Sequence, residues 1–173
     1  MANGMDETCE ALAARAGDHV GDRTVASAES FTAGVVAQAL ASAESSSEWF
    51  KGAVVSYQTA VKRSVLGVSA EDVVTEQAAI EMAEGVARLL DADVGISSTG
   101  VAGPGDQDGT PAGTVVIGWS HSGGSGAEVL HLPGDPEEVV VRGATAALGR
   151  LCAVLEGRPA ATEEVATSCW PTT

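Results

Sequence analysis

Thr24-Val25-Ala26-Ser27-Ala28-Glu29-Ser30-Phe31-Thr32-Ala33-Gly34-Val35-Val36 reads as a strand, a polar turn and the start of a helix. Thr24 to Ala28 is short, apolar and bounded by polar residues, as a buried strand should be. Glu29-Ser30-Phe31-Thr32 supplies the turn. Ala33 to Ala43 continues as an Ala/Val/Leu helix. A strand that feeds directly into a helix is the unit of layered α/β folds.

The same alternation extends in both directions. Upstream, Asp6 to Ala16 is helical, with Leu12, Ala13 and Ala16 on one face. Downstream, Ser45-Ser46-Ser47 is a loop and Ala53 to Tyr57 a strand. A short helix spans about Thr59 to Leu66 and stops at Gly67. Ser69-x-x-Asp72 has the spacing of a capping box. A longer helix runs from about Glu76 to Leu90, with Ala79, Ala83, Val86 and Leu90 at helical spacing. Asp93 to Ser98 is a strand, and Val101 to Gly113 a Gly/Pro/Asp loop. Thr114 to Ser120 and Glu128 to Leu132 are antiparallel strands joined through Ser122-Gly123-Gly124. The last helix has Asp135 as N-cap, Pro136 in the first turn and Glu137 and Glu138 at the positive dipole end. Gly157 and Pro159 end it. The expected fold is a single three-layer α/β/α domain over residues 1–159. Its sheet is mixed, mostly parallel, with antiparallel strands near the C-terminal half. Residues 160–173 read as a loose tail, in which Trp170 could dock.

The chain has 173 residues and 45% apolar residues, enough for one packed core. Twenty-four acids against nine bases give a net charge of −15. Such a surface disfavours nucleic acid and anionic membranes. Only Lys51 and Lys62 are lysines. Low lysine with excess acid resembles adaptation to high salt, where the Debye length falls to roughly 3 Å at 1 M. No apolar run is long enough to span a bilayer, and no signal peptide is evident, so a cytoplasmic location is expected. Cys9, Cys152 and Cys169 lack the spacing of a zinc site or disulfide framework; Cys9 and Cys152 fall in helical patterns as small buried residues. His19, His121 and His131 show no metal-ligand spacing, so neither metal nor cofactor is expected.

Four segments place polar groups at strand ends, where open α/β sheets bind ligands. The first is the turn at Ser30. Backbone N–H groups at a helix start stabilise an anion or an oxyanion; simple N-capping by Ser30 or Thr32 is the plainer reading. The second is Ser56-Tyr57-Gln58-Thr59-Ala60-Val61-Lys62. Its tyrosine is the chain's single one. A neutral lysine can deprotonate a serine, whereas a snorkelling surface lysine and a half-buried tyrosine are the plainer reading. The third is Ser97-Ser98-Thr99-Gly100-Val101-Ala102-Gly103-Pro104-Gly105, a loop through which backbone approaches a ligand closely, or a plain long turn. The fourth is Arg142, a phosphate clamp or an ordinary ion-pair partner.

Taken together these segments resemble the CinA C-terminal domain family, whose members include nicotinamide mononucleotide deamidases. Ala28-Glu29-Ser30-Phe31-Thr32-Ala33-Gly34 is similar to its A-E-S-C-T-G-G turn, and Ser56 to Lys62 with Leu66-Gly67-Val68 to its T-Y-S-N-E-A-K…L-G-V segment. Thr99-Gly100-Val101-Ala102-Gly103-Pro104 and Pro111-Ala112-Gly113-Thr114-Val115 are similar to [ST]-G-I-A-G-P and P-V-G-T-V. Arg142-Gly143-Ala144-Thr145 is similar to its R-x-x-[AT] helix. The order holds from about Ala26 to Leu151. Phe31 stands where the family has cysteine, Ala33 where it has glycine, and Gln58-Thr59 where it has Ser-Asn. The loop 105–110 is short and lacks a lysine before the proline.

The resemblance implies an amidohydrolase that converts nicotinamide mononucleotide to nicotinic acid mononucleotide and ammonia. Ser30, Tyr57 and Lys62 would be catalytic. Glu29, Thr32, Gly34, Thr99, Gly100, Gly103 and Arg142 would bind the substrate. The N–H groups after Ser30 would form the oxyanion hole. The partner is then a small nucleotide, with self-association suggested by the family. Alternatives are a non-catalytic nucleotide-binding protein, an amidase or esterase with another small substrate, and an interaction module.

Overall fold

The computed structural model of the chain describes residues 7–158. In chain order the elements are α1 (Glu7–Val20), β1 (Val25–Glu29), α2 (Val35–Ser42), α3 (Ser46–Trp49), β2 (Phe50–Val55), α4 (Thr59–Leu66), α5 (Glu76–Leu90), β3 (Val94–Gly100), β4 (Thr114–His121), β5 (Gly124–His131) and α6 (Pro136–Leu155). The strands form one sheet in the order β2-β1-β3-β4-β5. β1 is parallel to β2 and β3, β4 is antiparallel to β3, and β5 is antiparallel to β4. Four strands therefore point one way and β4 alone is reversed, which is the mixed α/β sheet the sequence indicates.

Both faces of the sheet are covered, so β1 is buried at every position and reads as a continuous small-and-apolar run. Alternation still sorts its side chains. Val25, with Val94, Ile96 and Ile117, packs under α1, α2 and α6. Ala26 and Ala28 face the opposite way, toward Leu66 of α4 and Ala78, Met82 and Val86 of α5. The α5 backbone lies close against the sheet. A Cβ at Gly95 would stand 2.0 Å from the Ala83 carbonyl oxygen, and one at Gly118 2.4 Å from that of Ala79. The Ser97 hydroxyl donates to the Ala79 carbonyl across the same contact, at 2.6 Å.

Helices α4 and α5 and the Asp135 N-cap that opens α6 lie where the sequence puts them, and Glu138 completes a capping box there. Other boundaries differ for local reasons. α2 begins at Val35 because Ala33 (φ 47°) and Gly34 (φ 106°) are left-handed and belong to the turn. Ser46–Trp49 forms a helical turn instead of a loop, and it buries Trp49. β2 starts at Phe50 and ends at Val55, before Tyr57. Ser69 and Asp72 do not form a capping box. Ser69 donates its N–H and hydroxyl to Glu81, the Asp72 carboxylate accepts the Val74 N–H, and Thr75 caps α5 by accepting from Ala78 N–H. β5 begins at Gly124, in a Gly/Ser stretch of low strand propensity. Pairing with β4 overrides the propensity, and the Trp119 ring lies over Gly126.

Cys9 and Cys152 are fully buried. Among the described residues no helix is long and apolar enough to cross a membrane. The expected tail 160–173, with Cys169 and Trp170, lies outside the described residues.

Candidate active site

The C-terminal ends of the three parallel strands meet at one place. Ser30 follows β1, Ser56 and Tyr57 follow β2, and the glycine loop leaves β3 at Gly100. This is the ligand edge of an open α/β sheet.

The turn is held by Glu29. Its side chain is 1% exposed. Its carboxylate accepts the N–H groups of Gly34 (2.9 Å), Val36 (3.2 Å) and Ala37 (2.8 Å) and the Thr32 hydroxyl (2.7 Å). A carboxylate at the start of α2 satisfies otherwise orphaned donors and complements the helix dipole. Thr32, also buried, shares a 2.7 Å hydrogen bond with the Ser98 hydroxyl. Glu29, Thr32 and Gly34 therefore build the turn and do not line the cleft, contrary to the substrate contacts expected of them. The expected oxyanion donors shift for the same reason. N–H groups of Gly34, Val36 and Ala37 are held by Glu29, that of Ala33 by the Ser30 carbonyl, and that of Val35 by the Thr32 carbonyl.

Ser30 is fixed by its backbone: its N–H donates to the Ser98 carbonyl at 2.9 Å. Its hydroxyl lies 2.9 Å from the Lys62 amine. Lys62 is 2% exposed, unusual for a lysine. Its amine also donates to the Ser56 carbonyl at 2.8 Å and reaches the Tyr57 carbonyl at 3.4 Å. No ion pair among the described residues involves it. Burial without a counter-charge pushes its pKa below the ordinary lysine value. A neutral amine has two N–H donors and one lone pair. In that neutral form the two carbonyls take the donors and the Ser30 hydroxyl is the third neighbour, within reach of the lone pair.

Tyr57 is 69% exposed. Its main-chain carbonyl, not its hydroxyl, contacts Lys62, so the phenol does not join the Ser30–Lys62 contact as a catalytic group; the ring stands at the rim of the cleft. That cleft has a volume of about 820 Å³. Ser30, Tyr57, Lys62, Thr99, Gly100 and Gly103 line it. The Thr99 hydroxyl is used internally, donating to the Val73 carbonyl at 2.7 Å. Arg142 does not line the cleft. It donates to the Pro133 carbonyl at 2.8 Å and lies 3.8 Å from Glu138, because the loop before α6 turns back over it.

Sequence reasoning missed the apolar wall of Phe31, Val73, Val74, Val101, Val140 and Val141, and the acids Asp106 and Glu137. One signal was available. Phe31 fits only because Gly143 lies opposite in α6, where a Cβ would stand 2.4 Å from the ring. A mid-helix glycine beside a bulky turn residue marks such a close approach. Ala33 sits in a left-handed conformation that costs an L side chain roughly 1–2 kcal/mol. Ala33→Gly is therefore expected to raise stability by up to about 1 kcal/mol, measured by urea unfolding.

The family model described as the CinA C-terminal domain matches residues 7–155. A CinA-like protein of Frankia casuarinae is 39% identical over 141 residues, covering 79% of this chain and 33% of that protein. A putative competence-damage inducible protein of Listeria welshimeri is 50% identical over 105 residues, covering 58% of this chain and 25% of that protein. The chain thus spans a quarter to a third of these relatives. The crystal structure of a CinA superfamily protein from Klebsiella pneumoniae superposes with a TM-score of 0.81 at 32% identity, over 86% of this chain and 98% of that one. The competence/damage inducible protein of Agrobacterium tumefaciens gives 0.81 at 28% identity, over 90% and 99%. Sequence and fold agree: the chain belongs to the CinA C-terminal domain family.

Proposed function

We propose that the chain is an amidohydrolase that hydrolyses a small carboxamide through Ser30 and Lys62. The observation that carries this reading is the 2.9 Å contact between a buried, unpaired lysine amine and a serine hydroxyl at the edge of a large cleft. Ser30 attacks the carboxamide carbon as its proton passes to Lys62. Lys62 then returns that proton to the departing nitrogen, and ammonia leaves. Water, deprotonated by Lys62, hydrolyses the ester on Ser30 and releases the carboxylic acid. The N–H groups of Phe31 and Thr32 are not engaged by Glu29, and that of Phe31, next to the nucleophile, is the donor we assign to the oxyanion. The substrate implied by the family is nicotinamide mononucleotide. Ammonia release from it, measured at low and high salt, tests the reading; no release in either condition would refute that substrate. A non-catalytic ligand-binding role is the second reading, favoured by the Phe31 ring beside the nucleophile. A ligand-induced rise in Tm without ammonia release would select it.

The base must be neutral, which fixes the pH dependence. The kcat/KM of the wild type should rise with pH as Lys62 loses its proton, with a midpoint below 10.5. Stability carries the same sign. The folded state holds fewer protons at this site than the unfolded chain between the lowered pKa and 10.5, so wild-type stability rises with pH across that window. Lys62→Met should remove that rise, as read from urea midpoints across the window.

A further inference from the structure

The side chains at positions 30 and 31 leave the turn toward opposite faces of the sheet. The Ser30 hydroxyl meets Lys62 of α4, and the Phe31 ring runs to α6. A Cβ built at Gly143 would stand 2.4 Å from Cζ and 2.6 Å from Cε2 of that ring, so the ring tip rests on bare helix backbone. The ring packs with Val115 and Val139 in a small apolar cluster and is 7% exposed. Phe31 also lines the cleft, so the cleft is its open side.

Helix α6 shows what the ring does there. Pro136, Glu137, Val140 and Val141 line the cleft at the spacing of one helical face. Gly143 lies three residues beyond Val140 on that face, yet the lining stops at Val141. The Phe31 ring fills the space that the next turn of α6 would otherwise open to the cleft. It is a plug, and the glycine is what lets it seat. A substrate carbonyl docked on the Phe31 N–H hangs from the same residue, which puts the acyl group beside the plug. A ring that is 7% exposed offers a ligand little contact area but excludes a whole ring's volume. Its effect is therefore on size and not on attraction.

Resting on the amidohydrolase reading, we propose that Phe31, seated on Gly143, sets the size of the acyl group admitted at Ser30 and limits the carboxamide to a single flat ring or smaller. The CinA pattern has a small cysteine at this position, so the limit belongs to this chain's own turn.

Calorimetric binding of pyridine-3-carboxamide and quinoline-3-carboxamide to the Ser30→Ala protein, which cannot turn them over, tests this. The two compounds share the carboxamide and differ by one fused ring. The quinoline compound should bind at least about tenfold more weakly. Adding Phe31→Cys should leave the pyridine compound within about threefold and tighten the quinoline compound about tenfold or more. Phe31→Leu, which keeps the apolar cluster filled, should tighten it by a smaller factor, and thermal melts establish that both variants fold. Gly143→Ala should push the ring off α6 toward its open side and weaken both compounds. Combining it with Phe31→Cys should restore them. An unchanged preference between the compounds in both Phe31 variants would overturn the proposal. So would failure of the pyridine compound to bind, or a Gly143→Ala loss that Phe31→Cys does not restore. Ammonia release by the proteins with Ser30 intact is read separately. Release from neither compound, with the size preference still following Phe31, would end the amidohydrolase reading and leave the plug standing.

Discussion

Ser30→Ala should lower the rate of ammonia release by roughly 10³-fold or more while the protein stays folded. The hydroxyl is the nucleophile, and among the described residues no other hydroxyl is hydrogen-bonded to the Lys62 amine. Removing it deletes one hydrogen bond, so stability should change by about 1 kcal/mol at most. Lys62→Met should cost a comparable factor. The double variant should be little worse than either single one, because the two groups act as a unit. A coupled ammonia assay gives the rates, and a thermal melt separates loss of chemistry from loss of fold. Full activity in either single variant would refute the roles assigned.

The second large effect is structural in origin. Glu29→Ala removes the acceptor for three N–H groups and one hydroxyl in a turn that is buried or half-buried. Buried donors left without partners are costly, and the loss should reach about 3–5 kcal/mol. For a chain of this size that is a fall in Tm of roughly 10 °C. Glu29→Gln keeps one acceptor oxygen but points an NH₂ group at backbone donors, so its loss should be smaller and still clear. Both variants should also lose activity, because the turn that carries Ser30 is tied to α2 through this carboxylate. An unchanged Tm in Glu29→Ala would contradict the account of the turn.

The layered fold is legible because its signals are local. Asp135-Pro136-Glu137-Glu138 announces a helix start by capping and dipole chemistry, and the apolar spacing from Ala79 to Val86 follows one helical face. Ser30 and Lys62 are legible as residue types in an ordered set of motifs. What escapes the sequence depends on tertiary placement. Glu29 looks like a pocket acid until the start of α2 is seen to converge on it. Tyr57 looks catalytic until β2 stops at Val55 and leaves the ring in solvent. Arg142 looks like a phosphate clamp until the loop at Pro133 supplies it with a carbonyl. The strand at Gly124 is unreadable because pairing with β4 outweighs glycine's poor propensity.

The central claim is that Lys62, its pKa lowered by burial, acts as the base toward Ser30. The chain contains only two lysines, so protein labelled with ¹³Cε-lysine gives two signals, assigned with Lys51→Arg. The account predicts that the Lys62 signal titrates below the ordinary lysine value of about 10.4 and that this titration moves in Ser30→Ala. A Lys62 signal that titrates at or above the ordinary value, indifferent to Ser30, would contradict it.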